Sequence, residues 1–288
     1  MNLLITGITG NFGYAVYKAL KGRDDLNIFA GTRNPERVNF LLEDPDIKVR
    51  RFDYQDPNTF DPALDEIDAV VLVRPPAITN VKKTIFPFID LFREKGVQHV
   101  LFLSLQGVEE NKYTPHYKIE SYIKKSGVAY TFLQPSFFME NLITAHREEI
   151  RYESRIVVPA EEGRTNFIAV DDIAAAAAQC IGNSEHYNAA YELTGDQDYS
   201  YYDVARILSE ELGRPVSYEK PGFFQFILYR LKKGEQLGFV LVMALIYRSV
   251  KAGEADRKTD MLTTKFNVQP TDLRDFVRER SSYFQQEI

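Results

Sequence analysis

The sequence predicts an α/β protein, a doubly wound parallel sheet with a smaller C-terminal α/β lobe. Three observations point there. Through the first half of the chain, short apolar runs alternate with amphipathic helical stretches across short connections. That is the pattern of a parallel sheet covered on both faces. Three glycines, Gly7, Gly10 and Gly13, stand where the first apolar run gives way to a helical pattern. Beyond Asn141 the alternation loosens into short strands and apolar helices. We therefore expect a sheet domain over residues 1–141. Residues 142–288 form a mixed segment that returns to the sheet and builds the smaller lobe.

The first strand spans residues 3–5 and breaks at Gly7. From Phe12 onward, Phe12, Ala15, Val16, Ala19 and Leu20 recur at helical spacing. A glycine turn between a strand and a helix is a dinucleotide-binding context, the Rossmann arrangement. Gly7 makes the tight turn, Gly10 lets the backbone approach a pyrophosphate, and Gly13 lets helix and strand pack closely. The helix N-terminus offers free N–H groups and a positive dipole end to phosphates. A plain connecting turn is the alternative. The spacing is Gly-x-x-Gly-x-x-Gly, one residue longer at its start than the common fingerprint.

A second strand covers 27–32 and leads to Arg33-Asn34-Pro35. In this arrangement the residue about 20 positions past the glycine turn meets the adenosine ribose, and an acid there selects NAD. Here Thr32 and Arg33 occupy the place and no carboxylate does. Arg33 suits a 2′-phosphate, with Asn34 and Arg37 nearby in sequence, so NADP(H) is favoured over NAD(H). A solvated loop arginine is the bland alternative.

The third strand, 47–52, ends at Asp53, which either accepts from the adenine amino group or caps the next turn. Strand four, 69–73, is followed by Arg74-Pro75-Pro76, a stiff loop passing near the cofactor or serving structure alone. Residues 80–95 read as one long helix burying Ile85, Phe88, Ile89 and Phe92. Strand five, 100–103, delivers Ser104, and a helix opening at 113–120 runs to Ser126, with Gly127 as its C-cap. Strand six, 129–133, leads into Gln134-Pro135-Ser136-Phe137-Phe138-Met139-Glu140-Asn141. In the second half, 156–159 and 166–170 read as strands, Asp171 and Asp172 as caps of a helix over 173–181, and 191–194 as a further strand. Ser200 caps a helix ending at Gly213, and apolar helices cover 223–231 and 237–250.

Composition narrows the function classes. The 288 residues carry a net charge of −6 and no run of Lys or Arg, so nucleic acid and anionic membranes are poor partners. The single cysteine, Cys180, excludes an internal disulfide and fits a reducing, cytoplasmic setting. The chain start reads as a strand rather than a signal peptide. The apolar stretch 238–247 is too short for a bilayer, which takes about 20 residues. There is no nucleophile elbow, no His-Glu-x-x-His, and no metal-spaced Cys/His cluster. Of the histidines 99, 116, 146 and 186, only His116 stands in a suggestive place.

The order of motifs resembles a known family. Gly7-x-x-Gly10-x-x-Gly13, Arg33-Asn-Pro, His116-x-x-x-Glu120 and Ser126-Gly127-Val-Ala-Tyr-Thr131 come in turn. Pro135-Ser-Phe-Phe-Met-Glu-Asn141, Ile168-Ala-Val-Asp-Asp-Ile173 and Tyr191-Glu-Leu-Thr-Gly195 follow. Together, over residues 1 to about 220, they look like the NmrA-like branch of atypical short-chain dehydrogenases/reductases. The resemblance implies a Rossmann domain, a small C-terminal lobe and NADP(H) preference. It implies either a reductase, of the quinone oxidoreductase or isoflavone reductase kind, or a catalytically silent NADP(H)-binding redox sensor. The Tyr-x-x-x-Lys pair of typical members is missing. His116 stands at the lysine position, Lys112 at the tyrosine position, and Tyr113 one residue out of register.

The expected cofactor-binding set is Gly7, Thr9, Gly10, Asn11, Phe12, Gly13, Arg33, Asp53, Arg74, Ser104, His116 and Pro135. His116 is the expected catalytic residue, holding the ribose or moving a proton with a free pKa of about 6.5. Phe137, Phe138 and Asn141 are expected to line a pocket for a small, planar quinone or carbonyl substrate, Phe137 and Phe138 competing with a core role. A homo-oligomer or a protein partner stays open, and no metal is expected.

Overall fold

The computed structural model describes residues 1–36, 38, 44 and 47–285. The main sheet has seven strands in the order β10-β6-β5-β4-β1-β2-β3, every neighbour parallel. These are β1 (Asn2–Thr6), β2 (Asn27–Thr32), β3 (Lys48–Arg51), β4 (Ala69–Leu72), β5 (His99–Leu103), β6 (Ala129–Pro135) and β10 (Ala189–Leu193). Leu3, Leu4, Ile5, Val70, Val71 and Leu72 are all at most 1% exposed. Strands buried on both faces read as continuous apolar runs, which is why the sequence shows them so clearly. The order reverses between β1 and β4, the switch point where such sheets bind ligands at their carboxyl ends.

Two compact units divide the chain. One comprises Met1–Pro135 and Val170–Leu193, the other Ser136–Ala169 and Thr194–Ile288. In the first unit, α1 (Asn11–Leu20) packs against the returning helix Val170–Cys180. Phe12, Ala15, Val16 and Leu20 are buried as expected; Ala19 is exposed and Tyr17 takes its place. The helix expected over 80–95 is broken into α3 (Val81–Thr84) and α4 (Phe86–Glu94), after the short α2 (Phe60–Ala63). Pro87 has no N–H to continue the ladder, so the helix restarts around it. Its buried residues, Ile85, Phe88, Ile89 and Phe92, are those expected. Asp171 and Asp172 lie inside the first turn of Val170–Cys180 instead of capping it.

At the amino ends of the strands the first unit buries His99, whose Nε2–H donates to Thr131 Oγ1 (2.9 Å) while that hydroxyl donates to the His186 carbonyl (2.7 Å). Nδ1 of His99 is buried without a partner. Burial, with the neighbouring His186, pulls its pKa down to about 4.

The second unit holds two small sheets, β11-β9-β7 and β12-β8. Their strands are β7 (Phe137–Phe138), β8 (Arg155–Val157), β9 (Arg164–Ile168), β11 (Asp198–Ser200) and β12 (Ser217–Glu219). The expected strands 156–159 and 166–170 both begin and end earlier than read. Helices α5 (Pro115–Ser126) and α7 (Val170–Cys180) belong to the first unit; α6 (Arg147–Glu153), α8 (Tyr201–Leu212), α9 (Phe223–Lys232), α10 (Leu237–Lys251), α11 (Met261–Phe266) and α12 (Leu273–Glu279) to the second. Ser200 and Asp203 form a reciprocal capping box on α8, and Gly213 ends it at φ +63°.

The core of the second unit contains a satisfied ionic cluster. Arg230, 2% exposed, donates from Nη1 to Glu149 Oε1 (2.7 Å), from Nε to Glu235 (2.9 Å) and from Nη2 to the Ala145 carbonyl (3.1 Å). His146 Nδ1 donates to the other Glu149 oxygen (3.2 Å), and Nε2 accepts from Tyr247 (2.6 Å). Burial alone would raise the Glu149 carboxyl; His146, Arg230 and Lys233 outweigh it and hold it at about 2.

Candidate functional site

The strand-to-helix turn has the geometry of a phosphate cradle. Gly7 sits at φ +66°, and its carbonyl accepts the Gly10 N–H at 2.9 Å. A Cβ on Gly13 would stand 2.4 Å from the Gly7 oxygen and 2.8 Å from its carbonyl carbon. Only a glycine lets the first turn of α1 seat against the loop at that distance. Gly10 is the N-cap and offers no side-chain acceptor, and no acid stands in the first turn. The N–H groups of Asn11, Phe12 and Gly13 precede the first intrahelical bond, from Tyr14 to Gly10. Thr9, Gly10 and Asn11 are exposed, whereas Phe12 is 3% exposed and packs in the core. Of Phe12, only the backbone faces the turn's chemistry.

At the end of β2, Thr32 Oγ1 accepts from the Asn34 N–H (3.2 Å), a short local turn that carries Arg33 on its crest. Arg33 is exposed and its guanidinium has no partner among the described residues. Arg37 lies outside the described residues. Asp53 closes its own turn: Oδ1 accepts from Gln55 N–H (2.9 Å) while its backbone N–H donates to Thr59 Oγ1 (3.0 Å). The capping alternative is therefore realised in this structure. A tie absent from the sequence reading lies beneath these turns. Tyr54 is buried, and its hydroxyl meets Thr6 Oγ1 (3.1 Å) and the Val73 carbonyl (3.2 Å). Thr6 in turn donates to Val71 O and accepts from Val73 N–H. This knot fastens the carboxyl ends of β1 and β4 to the turn after β3; a threonine ending an apolar strand was its only sequence signal.

Arg74 braces its own loop. Nη1 donates to the carbonyls of Pro75 (3.1 Å), Pro76 (3.1 Å) and Ile78 (2.8 Å), and Nε reaches His116 Nε2 at 3.4 Å. The structural role of this arginine is thus real, and it also fixes His116. With Nε2 accepting, the imidazole proton sits on Nδ1. His116 lies in the first turn of α5, behind Pro115 and the N-cap Thr114, which accepts from Tyr117 N–H (3.2 Å). Burial, then the charge of Arg74, pulls its pKa down to about 3. The free-histidine value near 6.5 expected from sequence is overturned, and the ring is neutral at pH 7.

Glu120, one turn further along α5, is 4% exposed and accepts from Gln134 Nε2 at 3.0 Å. Burial raises its pKa against the pull of Ser104 and Gln134. Ser104, 4% exposed, donates its N–H to the Leu133 carbonyl (2.8 Å), and its Oγ beside Glu120 meets no well-aligned partner. Pro135 is buried at the end of β6 and accepts from Gln106 N–H at 3.0 Å. The carboxyl ends of β1, β2, β4, β5 and β6 thus gather the glycine turn, Arg33, Arg74, Ser104, His116 and Pro135 on one sheet.

The three expected substrate contacts belong to the second unit. Phe137 and Phe138 form β7 and pair with Phe167 and Ile168. Phe137 packs into that unit's core, edge-on to Phe167 at 6.4 Å. Phe138 and Asn141 are half-buried, the latter ending a 3₁₀ turn. Lys112 and Tyr113 are exposed, Tyr113 at 86%, so no tyrosine–lysine pair forms in their place.

A parallel sheet with this strand order and a glycine turn on its first helix defines a protein of the Rossmann class. The NmrA-like family profile matches residues 1–276, and the chain belongs to that family. It is 30% identical over 220 residues to Prestalk A differentiation protein A of Dictyostelium discoideum, spanning 76% of this chain and 72% of that protein. It is 31% identical over 222 residues to the NAD(P)H azoreductase of Xenophilus azovorans, spanning 75% and 76%. The crystal structure of an NADPH-dependent quinone oxidoreductase from Escherichia coli, complexed with NADPH, superposes with a TM-score of 0.86. That match covers 97% of this chain and 99% of the other at 24% identity, a likeness of fold.

Proposed function

We propose that this chain is an NADPH-dependent reductase of a small, planar quinone or carbonyl compound, acting in the cytoplasm. The observation that carries the reading is the uncapped α1 N-terminus behind the glycine turn, with Arg33, unpartnered among the described residues, at the ribose position. The relatives named NAD(P)H azoreductase and quinone oxidoreductase support the reaction class.

The residues present fit the cofactor. The backbone N–H groups of Asn11, Phe12 and Gly13 suit a pyrophosphate, and Gly13 leaves the space a Cβ would fill. Arg33, with no acid beside it at the end of β2, suits a 2′-phosphate. When bound, NADPH supplies the hydride. His116, neutral with its proton on Nδ1, donates a hydrogen bond to the nicotinamide ribose or to the acceptor's oxygen. Because the ring is not an imidazolium at neutral pH, the proton completing the two-electron reduction comes from water. Arg74 positions His116 and holds the loop after β4. Phe138 and Asn141 are the candidate contacts for the acceptor, while Phe137 serves the core of its own unit.

A second reading, an NADP(H)-binding redox sensor without turnover, is favoured by the exposed Lys112 and Tyr113, which leave no tyrosine–lysine pair. The two part on one experiment. Purified protein is titrated with NADPH and NADP, and NADPH oxidation is followed across a panel of quinones, azo dyes and carbonyls. Turnover on a quinone or carbonyl supports the reductase; tight binding with no turnover on any acceptor sinks it.

A further inference from the structure

Helix α10 is apolar on every side. Val240, Met243, Ala244, Tyr247 and Val250 form its buried stripe. Phe239, Leu241, Val242, Leu245 and Ile246 are nonetheless 40–56% exposed. From Leu237 to Tyr247 there is no charged residue. The packed neighbour α9 repeats the pattern: Phe226 and Arg230 are buried, while Phe224 and Leu228 are 76% and 59% exposed. A helix that is apolar all round is one that expects cover on both sides.

We infer that the α9–α10 hairpin is a self-association surface, and that two copies of this chain pack through it about a two-fold axis. Three observations favour a second copy. The exposed apolar side chains on the two helices offer roughly 700 Å², beyond the ~300–600 Å² patch of an ordinary monomer and close to the ~800 Å² per partner of a stable interface. The charges lie only at the ends of α10, where Glu235 already meets Arg230 and Lys251 meets Glu161, so no charge interrupts the apolar face from Leu237 to Tyr247. An antiparallel pairing of the two copies of α10 about the two-fold axis opposes their helix dipoles. A lipid surface fits less well, because the chain carries −6 overall and Lys251 is already paired with Glu161.

The inference is independent of the cofactor reading, and its test needs no activity. Full-length protein is weighed in solution from about 1 to 100 µM by light scattering and sedimentation, beside Leu245→Glu and Val242→Glu. The expected result is a wild-type dimer and a dissociation constant raised at least ~30-fold in either variant, the loss of one hot-spot residue. Circular dichroism and melting of the dilute monomer should match wild type, since both side chains face solvent in one copy. A wild-type monomer at 100 µM overturns the inference. So does a dimer that survives both substitutions. So does a wild-type monomer that sediments with neutral phosphatidylcholine vesicles, which transfers the face to lipid.

Discussion

The carboxyl edge of the main sheet and the core of the second unit treat polar groups in opposite ways. At the edge, exposed donors have no acceptor among the described residues: the first N–H groups of α1 and the Arg33 guanidinium. In the second unit, Arg230 is as deeply buried as a phenylalanine, yet its donors meet Glu149, Glu235 and the Ala145 carbonyl. A folded chain normally pairs its buried polar groups. Exposed donors on a rigid frame stay open to an acceptor from outside the chain; a buried arginine whose donors are met within the chain serves stability. The contrast sets a surface suited to the proposed cofactor against a cluster that serves architecture.

Arg230→Ala should break the architectural side hardest. It leaves Glu149 buried without its main counter-charge, at a cost of about 3–5 kcal/mol. Thermal melting should fall by roughly 10 °C, with NADPH affinity of the folded protein unchanged within about twofold. A loss of NADPH affinity without a loss of stability would reverse the assignment.

Acid should separate the two regions by window. A group whose folded pKa lies below its unfolded value stabilises the protein above the unfolded value, and that contribution is lost as pH falls toward the folded one. For His99, at about 4 against an unfolded value near 6.5, about 3 kcal/mol is lost as pH falls from 6.5 to 4. His116 works in the same direction. Glu149, at about 2, keeps its contribution until pH drops below about 4.5. Urea midpoints should therefore decline between pH 6.5 and 4.5 in wild type and more shallowly in His99→Gln. A flat midpoint through that range would show that burial does not hold His99 neutral.

On the binding side, Gly13→Ala should weaken NADPH binding at least ~100-fold, because the new Cβ meets backbone at 2.4 Å and helix and turn must part. Calorimetric titration that finds near-normal affinity would remove the cradle from the site. Arg33→Asp should weaken NADPH about 30-fold, the size of a lost charge-assisted contact of ~2 kcal/mol, and NADH far less. Equal losses for both cofactors would strip Arg33 of its 2′-phosphate role.

Legibility in the sequence follows the same divide. The glycine turn, the cap at Ser200 and the strands of the main sheet are local devices, written within a dozen residues. The Arg230–Glu149 pair joins residues 81 apart, and nothing in either neighbourhood announces it. His146 read as a scattered histidine because Tyr247, its partner, is 101 residues away. The pKa of His116 was misjudged for a related reason: burial and Arg74, 42 residues off, set it, and helical spacing carries neither. Asp53 offered two roles of equal local merit, and the turn to Gln55 shows that its carboxylate takes the local one in this structure.

The chain leaves the first unit at Pro135 and re-enters at Val170. That detour has a consequence for how the protein is made. The last strand, β10, zips onto β6, and α7 covers α1, only after residues 136–169 have been synthesised. A nascent chain halted at residue 141 would display β6 as a raw edge and α1 with one apolar flank bare, a template for aggregation. The ribosome must therefore deliver part of the second unit before the first can close. Cutting the gene at what reads as a domain boundary would produce not half a protein but an unfinished sheet.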